Sequence, residues 1–138
     1  MLATVAASGI LAVSYGFPRR LVGTGSLVTT DAWETRFLRR PQWAGDFRWG
    51  ADQVLAADAR RIGLAQQNDN WEYPWWLLLP NRQIVALQSV TPKHPPADPS
   101  SVDAIVCTGD RTTCRRLVPP GWRLAFRGYV GVALPSPI

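Results

Sequence analysis

Lysine, histidine and methionine are almost missing from this 138-residue chain: Lys93, His94 and Met1 are the only ones. A single histidine and two cysteines, Cys107 and Cys114, leave too few ligands for a Cys/His zinc site within one chain, and no metal is expected. The two cysteines have six residues between them and no Cys-x-x-Cys occurs. They are read either as a short-loop disulfide, in an oxidising compartment, or as two buried thiols. A cysteine nucleophile with His94 as base would need a third group to orient the histidine, and the sequence names none. Glycine-rich phosphate loops are missing too. Neither GxGxxG nor GxxxxGK is present, and GTGS at residues 23 to 26 is too short to replace them, so no nucleotide cofactor is expected.

What the chain has is apolar mass, arginine and tryptophan. Apolar residues make up 46%, which excludes a disordered segment, and 138 residues suffice for one core without staples. Seven tryptophans suit core edges and interfaces. Fourteen of the fifteen basic residues are arginine and the net charge is +5. These occur as scattered pairs (Arg19-Arg20, Arg39-Arg40, Arg60-Arg61, Arg115-Arg116) rather than one dense cluster, which argues against a nucleic-acid reader. A basic binding module for RNA or another polyanion stays as the alternative reading.

Residues 2 to 17, LATVAASGILAVSYGF, carry no charge and precede Arg19-Arg20. A signal peptide would begin with a basic region, which this stretch lacks. A buried core helix is a second reading. The favoured one is an apolar helix that forms the end of a membrane segment, over residues 1 to 18. Residues 19 to 50 then read as a linker with a short helix, and residues 51 to 138 as a soluble α/β domain.

Along the chain, Thr30-Asp31 caps a predicted helix over 32–40 that Pro41 stops. Residues 41 to 50, PQWAGDFRWG, read as an aromatic loop, and 51–61 as the clearest helix, with Asp52 in its first turn and Arg60-Arg61 in its last. A buried strand over 62–67 runs into a polar loop. DNWEYPWWLLLP follows, read as a short helix over 71–79 stopped by Pro80. Strands are predicted over 83–90 and 102–107, separated by a proline-rich loop over 91–101. A polar stretch, TGDRTTCRR, holds at most a helical turn, and residues 122 to 134 form a strand pair about Gly128. The alternation predicts a small, mostly parallel α/β sheet with flanking helices and a terminal strand pair, preceded by the apolar helix. Ligands of such sheets sit at the carboxyl ends of the strands, where the DNWEYP segment would lie.

Within that segment Asp69, Trp71, Glu72 and Tyr73 are the candidate substrate-binding residues. Trp71 and Tyr73 offer faces for a sugar ring, and Glu72 an acceptor for its hydroxyls. Their structural alternatives are core-edge packing for the aromatics, helix capping for Asp69 and a first-turn acid for Glu72. Trp75, Trp76 and Leu77 to Leu79 read as a wall pressed on the sheet.

NDNWEYPWW at 68–76, the IVALQSV strand, the DAIVC strand and the closing GWRLAFRGYVGVAL pair together resemble the C-terminal soluble domain of bacterial polytopic GT-C type glycosyltransferases. These are similar to the dolichyl- or polyprenyl-phosphate-mannose-dependent mannosyltransferases. The resemblance implies an extracytoplasmic domain beside a membrane part, with lipid or lipid-linked sugar and that membrane domain as partners. It also implies that the catalytic acid lies in an early loop of the membrane part, outside this chain, so that the chain is a fragment with no transfer activity alone. Arg19-Arg20 would favour the cytoplasmic side by the positive-inside rule, but one pair need not set the last helix of a protein with many spans.

Overall fold

The computed structural model describes residues 2–15, 21, 23, 26, 28–66, 71–89 and 92–136. The chain divides into two compact units, Met1–Ala44 and Gly45–Ile138.

The first unit holds helix α1 (Leu2–Tyr15) and helix α2 (Ala32–Arg36). Side chains from Thr4 to Ala12 are exposed, Val5 by 69% and Ile10 by 67%, although none carries a charge. No helix among the described residues is long and apolar enough to cross a membrane. Asp31 starts α2 by accepting the backbone N–H of Trp33 at 2.8 Å. The indole N–H of Trp33 donates to the Ala44 carbonyl at 3.2 Å, and its ring lies 4.8 Å from that of Phe37.

The helix α3 (Pro41–Ala56) replaces the aromatic loop expected over 41–50 and takes in the first six residues of the helix expected over 51–61. Pro41 opens this helix instead of closing the one before it, because a first-turn proline gives up an N–H that would be unpaired anyway. The aromatic residues of this stretch belong to a helical stripe: Phe47, Ala51 and Val54 are buried, at spacings of four and three.

The second unit is built on one five-stranded sheet: β1 (Arg61–Gln66), β2 (Gln83–Ala86), β3 (Ala104–Thr108), β4 (Trp122–Arg127) and β5 (Val130–Pro135). Its order is β2-β1-β3-β5-β4. The β1 ladders to β2 and β3 are parallel, whereas β5 pairs antiparallel with both β3 and β4. The sheet is therefore mixed, which corrects the mostly parallel sheet read from the sequence. The reason is the terminal hairpin: its turn at Gly128–Tyr129 folds β5 back between β3 and β4, against the direction of both. The second strand is also shorter than predicted, ending at Ala86.

Helices cover both faces. On one, α3 and α4 (Tyr73–Leu78) meet where Phe47 packs edge-on against Trp75 at 4.9 Å. A Cβ on Gly50 would lie 2.8 Å from both the Trp75 ring and Val130, so this mid-helix glycine allows the close approach. On the other face, α5 (Arg111–Leu117) packs where the sequence suggested no more than a turn. Asp110 nucleates it, accepting from the backbone N–H groups of Thr112 and Thr113. Ala65, Ile105, Cys107, Cys114 and Ala133 form the core beneath it.

The hairpin turn is fixed from α3. The buried Asp46 carboxylate accepts the Tyr129 N–H at 3.0 Å and lies 3.8 Å from the Arg127 guanidinium. Gly128 has φ of 52° and its Cβ position is 2.2 Å from that carboxylate, so no other residue fits there.

Candidate functional site

Strands β1 and β3 lie side by side and parallel, and each ends in a polar residue after an apolar run: RIGLAQ and AIVCT. The register sets Gln66 opposite Thr108. Period-two alternation puts both on the face covered by α3 and α4, with Val130 beside Thr108 on the adjoining strand. Four side chains form a polar row along this edge. The Gln66 amide N–H donates to the Glu72 carboxylate at 3.3 Å. Gln66 Oε1 is buried and meets no donor among the described residues. Thr108 is buried, and the half-buried Tyr129 stands next to Val130, its partner on β5. Burial pushes the Tyr129 hydroxyl above its ordinary range, so it stays protonated at neutral pH.

Glu72 stands at the N-cap of α4, yet its side chain makes no capping bond. It reaches back to Gln66 instead. Trp71 and Tyr73 flank it, 41% and 56% exposed. Of the four residues expected to bind substrate, Trp71, Glu72 and Tyr73 thus stand around the end of β1, and Asp69 lies outside the described residues. Gln66, Thr108 and Tyr129 were not singled out from the sequence. A polar residue ending each of two apolar strands is the signal that would have found the first two.

The wall expected over Trp75 to Pro80 divides differently. Pro74, Trp75 and Leu79 are buried, whereas Trp76 and Leu77 are 51% and 41% exposed. Tyr73, Trp76 and Leu77 share one helical face by their i, i+3, i+4 spacing, and that face is outward.

Cys107 and Cys114 are disulfide-bonded, with Cα atoms 5.8 Å apart, tying β3 to α5. Both sulfurs are consumed by the bond, so neither cysteine is a nucleophile here. His94 is exposed in the loop after β2. Among the described residues no three His, Cys, Asp or Glu side chains come together as metal ligands would.

No protein-family model, curated protein or solved structure matches the chain.

At the opposite edge, a cavity of about 540 Å³ is lined by residues including Asp58, Arg60, Val102, Asp103 and Arg123. Its acids serve the fold. Asp103 accepts the backbone N–H groups of Arg60 and Arg61 at 3.0 and 2.8 Å, and these bonds hold its carboxyl below the usual range. Asp58, with φ of 48°, ends the turn after α3 and pairs with Arg82 at 3.1 Å. The row at the carboxyl edge is the better candidate. It combines an accessible carboxylate, an amide with an unused acceptor and flanking aromatic faces, a set that recognises hydroxyl groups.

Proposed function

We propose that the chain is the C-terminal, extracytoplasmic domain of a membrane glycosyltransferase of the GT-C kind, accessory to transfer of a sugar from a lipid-phosphate donor. The observation that carries this reading is α1, uncharged and exposed at every position from Thr4 to Ala12. Water does not stabilise such a surface, and burial in a bilayer or against other membrane helices does. Its 14 residues rise about 21 Å, less than the roughly 30 Å of hydrocarbon. The disulfide suits an oxidising, extracytoplasmic compartment.

In this reading Gln66, Trp71, Glu72 and Tyr73 hold the hydroxyl-bearing part of a lipid-linked sugar, and the transfer chemistry belongs to the membrane part. The test has two stages. The chain should sediment with phosphatidylcholine vesicles and be released when residues 2–15 are deleted; a chain that stays in the supernatant refutes the membrane reading. Vesicle-bound protein should then show a tryptophan emission shift on addition of polyprenyl-phosphate mannose, absent in Glu72→Gln. An unchanged shift in that variant removes the site.

A polyanion-binding module is the second reading. The observation favouring it is the distribution of charge: residues 104–138 contain five arginines and one aspartate.

A further inference from the structure

Four of the five arginines in the last 35 residues converge on one strand. β4 is an edge strand, and its residues alternate between half-buried Trp122, Leu124 and Phe126 and exposed Arg123, Ala125 and Arg127. On the half-buried side, α5 sets Arg111 and Arg115 over the Phe126 ring, at 4.9 and 5.5 Å from its centroid. Arg111 also donates to the Gly128 carbonyl at 3.3 Å. The two guanidinium groups are therefore held along the strand by cation–π contact. On the other side, Arg123 and Arg127 stand four residues apart, about 13 Å along the strand.

The acids that border this edge are occupied: in the cavity beside Arg123, Asp103 accepts the Arg60 and Arg61 N–H groups and Asp58 pairs with Arg82. Asp110 accepts three hydrogen bonds within the first turn of α5. Asp46 is buried and accepts the Tyr129 N–H, beside Arg127. What the edge presents outward is a net positive ribbon with arginine on both sides of one strand.

We propose that this β4 edge docks the domain on an anionic phospholipid surface, its arginines meeting headgroup phosphates. The proposal rests on the membrane reading above and adds the surface by which the soluble domain meets the lipid. Two features favour a lipid surface over RNA. The arginines are spread along the length of a strand, as contact with many separate phosphates requires. Single-stranded RNA binders place open aromatic faces among their basic residues. Here Phe126 is covered by two guanidinium groups, and the exposed Trp71, Tyr73 and Trp76 belong to α4 and its lead-in, between β1 and β2.

The test measures partitioning of the full chain onto vesicles of phosphatidylcholine alone and of phosphatidylcholine with about a third phosphatidylglycerol. The edge variant is Arg115→Gln with Arg123→Gln, one from each side of β4. The control, Arg36→Gln with Arg39→Gln, removes the same charge from exposed positions of the first unit. The anionic vesicles should bind the native chain more tightly, and this gain should vanish at high salt. The edge variant should lose about thirtyfold in affinity for the anionic vesicles, the effect of two arginines at a charged bilayer, and the control less than about threefold. Equal losses in the two variants overturn the proposal. So does an edge variant that no longer binds a single-stranded RNA oligonucleotide but binds anionic vesicles as before. Binding to phosphatidylcholine with no gain from phosphatidylglycerol refutes the docking edge and leaves the membrane reading standing. No binding to either vesicle refutes both.

Discussion

Trp75 and Trp76 are adjacent and identical in chemistry, so substituting each in turn isolates the effect of burial. Trp75 is fully buried, edge-on to Phe47 and pressed against Gly50 and Val130, whereas Trp76 is half exposed on the outward face of α4. Trp75→Ala leaves a cavity that the sheet and α3 cannot both close, at a cost of about 3–5 kcal/mol. For a chain of this length that corresponds to a fall in melting temperature of about 10–15 °C. Trp76→Ala removes a surface side chain and should stay within about 0.5 kcal/mol. A third variant tests the packing in finer detail. The Trp75 indole N–H is buried with no acceptor among the described residues, a defect worth about 1–3 kcal/mol. Trp75→Phe removes that donor while keeping an aromatic ring against Phe47. Its cost should be on the order of 1 kcal/mol, well under that of alanine, because the lost packing is partly offset. The assay is thermal and urea unfolding followed by far-ultraviolet circular dichroism, which does not depend on the tryptophans being replaced. Equal shifts for Trp75→Ala and Trp76→Ala would refute the division of α4 into an inner and an outer face.

Gly50→Ala should destabilise by about 1–3 kcal/mol, although alanine is favoured by about 1 kcal/mol in an open helix, because the new methyl meets Trp75 and Val130 at 2.8 Å. A rise in melting temperature would mean that α3 does not approach the sheet so closely. Cys107→Ala with Cys114→Ala should cost about 2.5 kcal/mol, the chain entropy released on opening a loop of this size, and unfolding with and without reductant should then coincide. Asp103 has a lowered carboxyl pKa in the folded state, so its contribution is complete above about pH 4 and is lost as the pH falls through the folded value. Urea midpoints between about pH 5 and about pH 2 should therefore drop less in Asp103→Asn than in the native chain, and parallel slopes would show that its bonds to the Arg60 and Arg61 N–H groups add nothing.

The parts of the fold legible in the sequence are those fixed by nearest neighbours. Alternation over 122–134 with Gly128 between its arms specifies a hairpin without reference to the rest of the chain, and the apolar runs ending at Gln66 and Thr108 mark β1 and β3. Where β5 would pair was not legible, because hairpin strength says nothing about which arm faces β3. The α3 helix was obscured for a different reason. Pro41, Gly45 and Gly50 lower its intrinsic propensity, and it is held by Phe47, Ala51 and Val54 packing on partners distant in sequence. In α4 the local signal was real but coarse. Composition marks Trp75 to Leu79 as apolar, whereas a six-residue helix buries only the positions that turn inward, so adjacent tryptophans have opposite environments.

The polar row at the carboxyl edge shows the same limit at the level of the site. Glu72 and Trp71 attract notice in the sequence because an acid amid aromatics is conspicuous. Gln66 and Thr108 are ordinary residues, and what joins them is the parallel register of β1 against β3, across 42 positions of chain. Only that register sets the Gln66 amide, which donates to the Glu72 carboxylate, opposite Thr108 on the neighbouring strand. It also explains why Glu72 leaves the N-terminus of α4 uncapped. A carboxylate used for capping would add roughly 1 kcal/mol to a helix that Trp75 already anchors. Turned toward Gln66, it instead fixes an amide whose carbonyl meets no donor among the described residues. A buried acceptor in that state costs about 1–3 kcal/mol, which a ligand hydroxyl would recover on binding. Loss of stability is therefore the wrong readout for this site. Gln66→Leu should leave the melting temperature nearly unchanged, since it removes an unsatisfied acceptor along with one weak bond, while abolishing the emission shift produced by the lipid-linked sugar. A variant that melts several degrees lower and still responds to the sugar would make Gln66 a structural strut, and the row would have no part in binding.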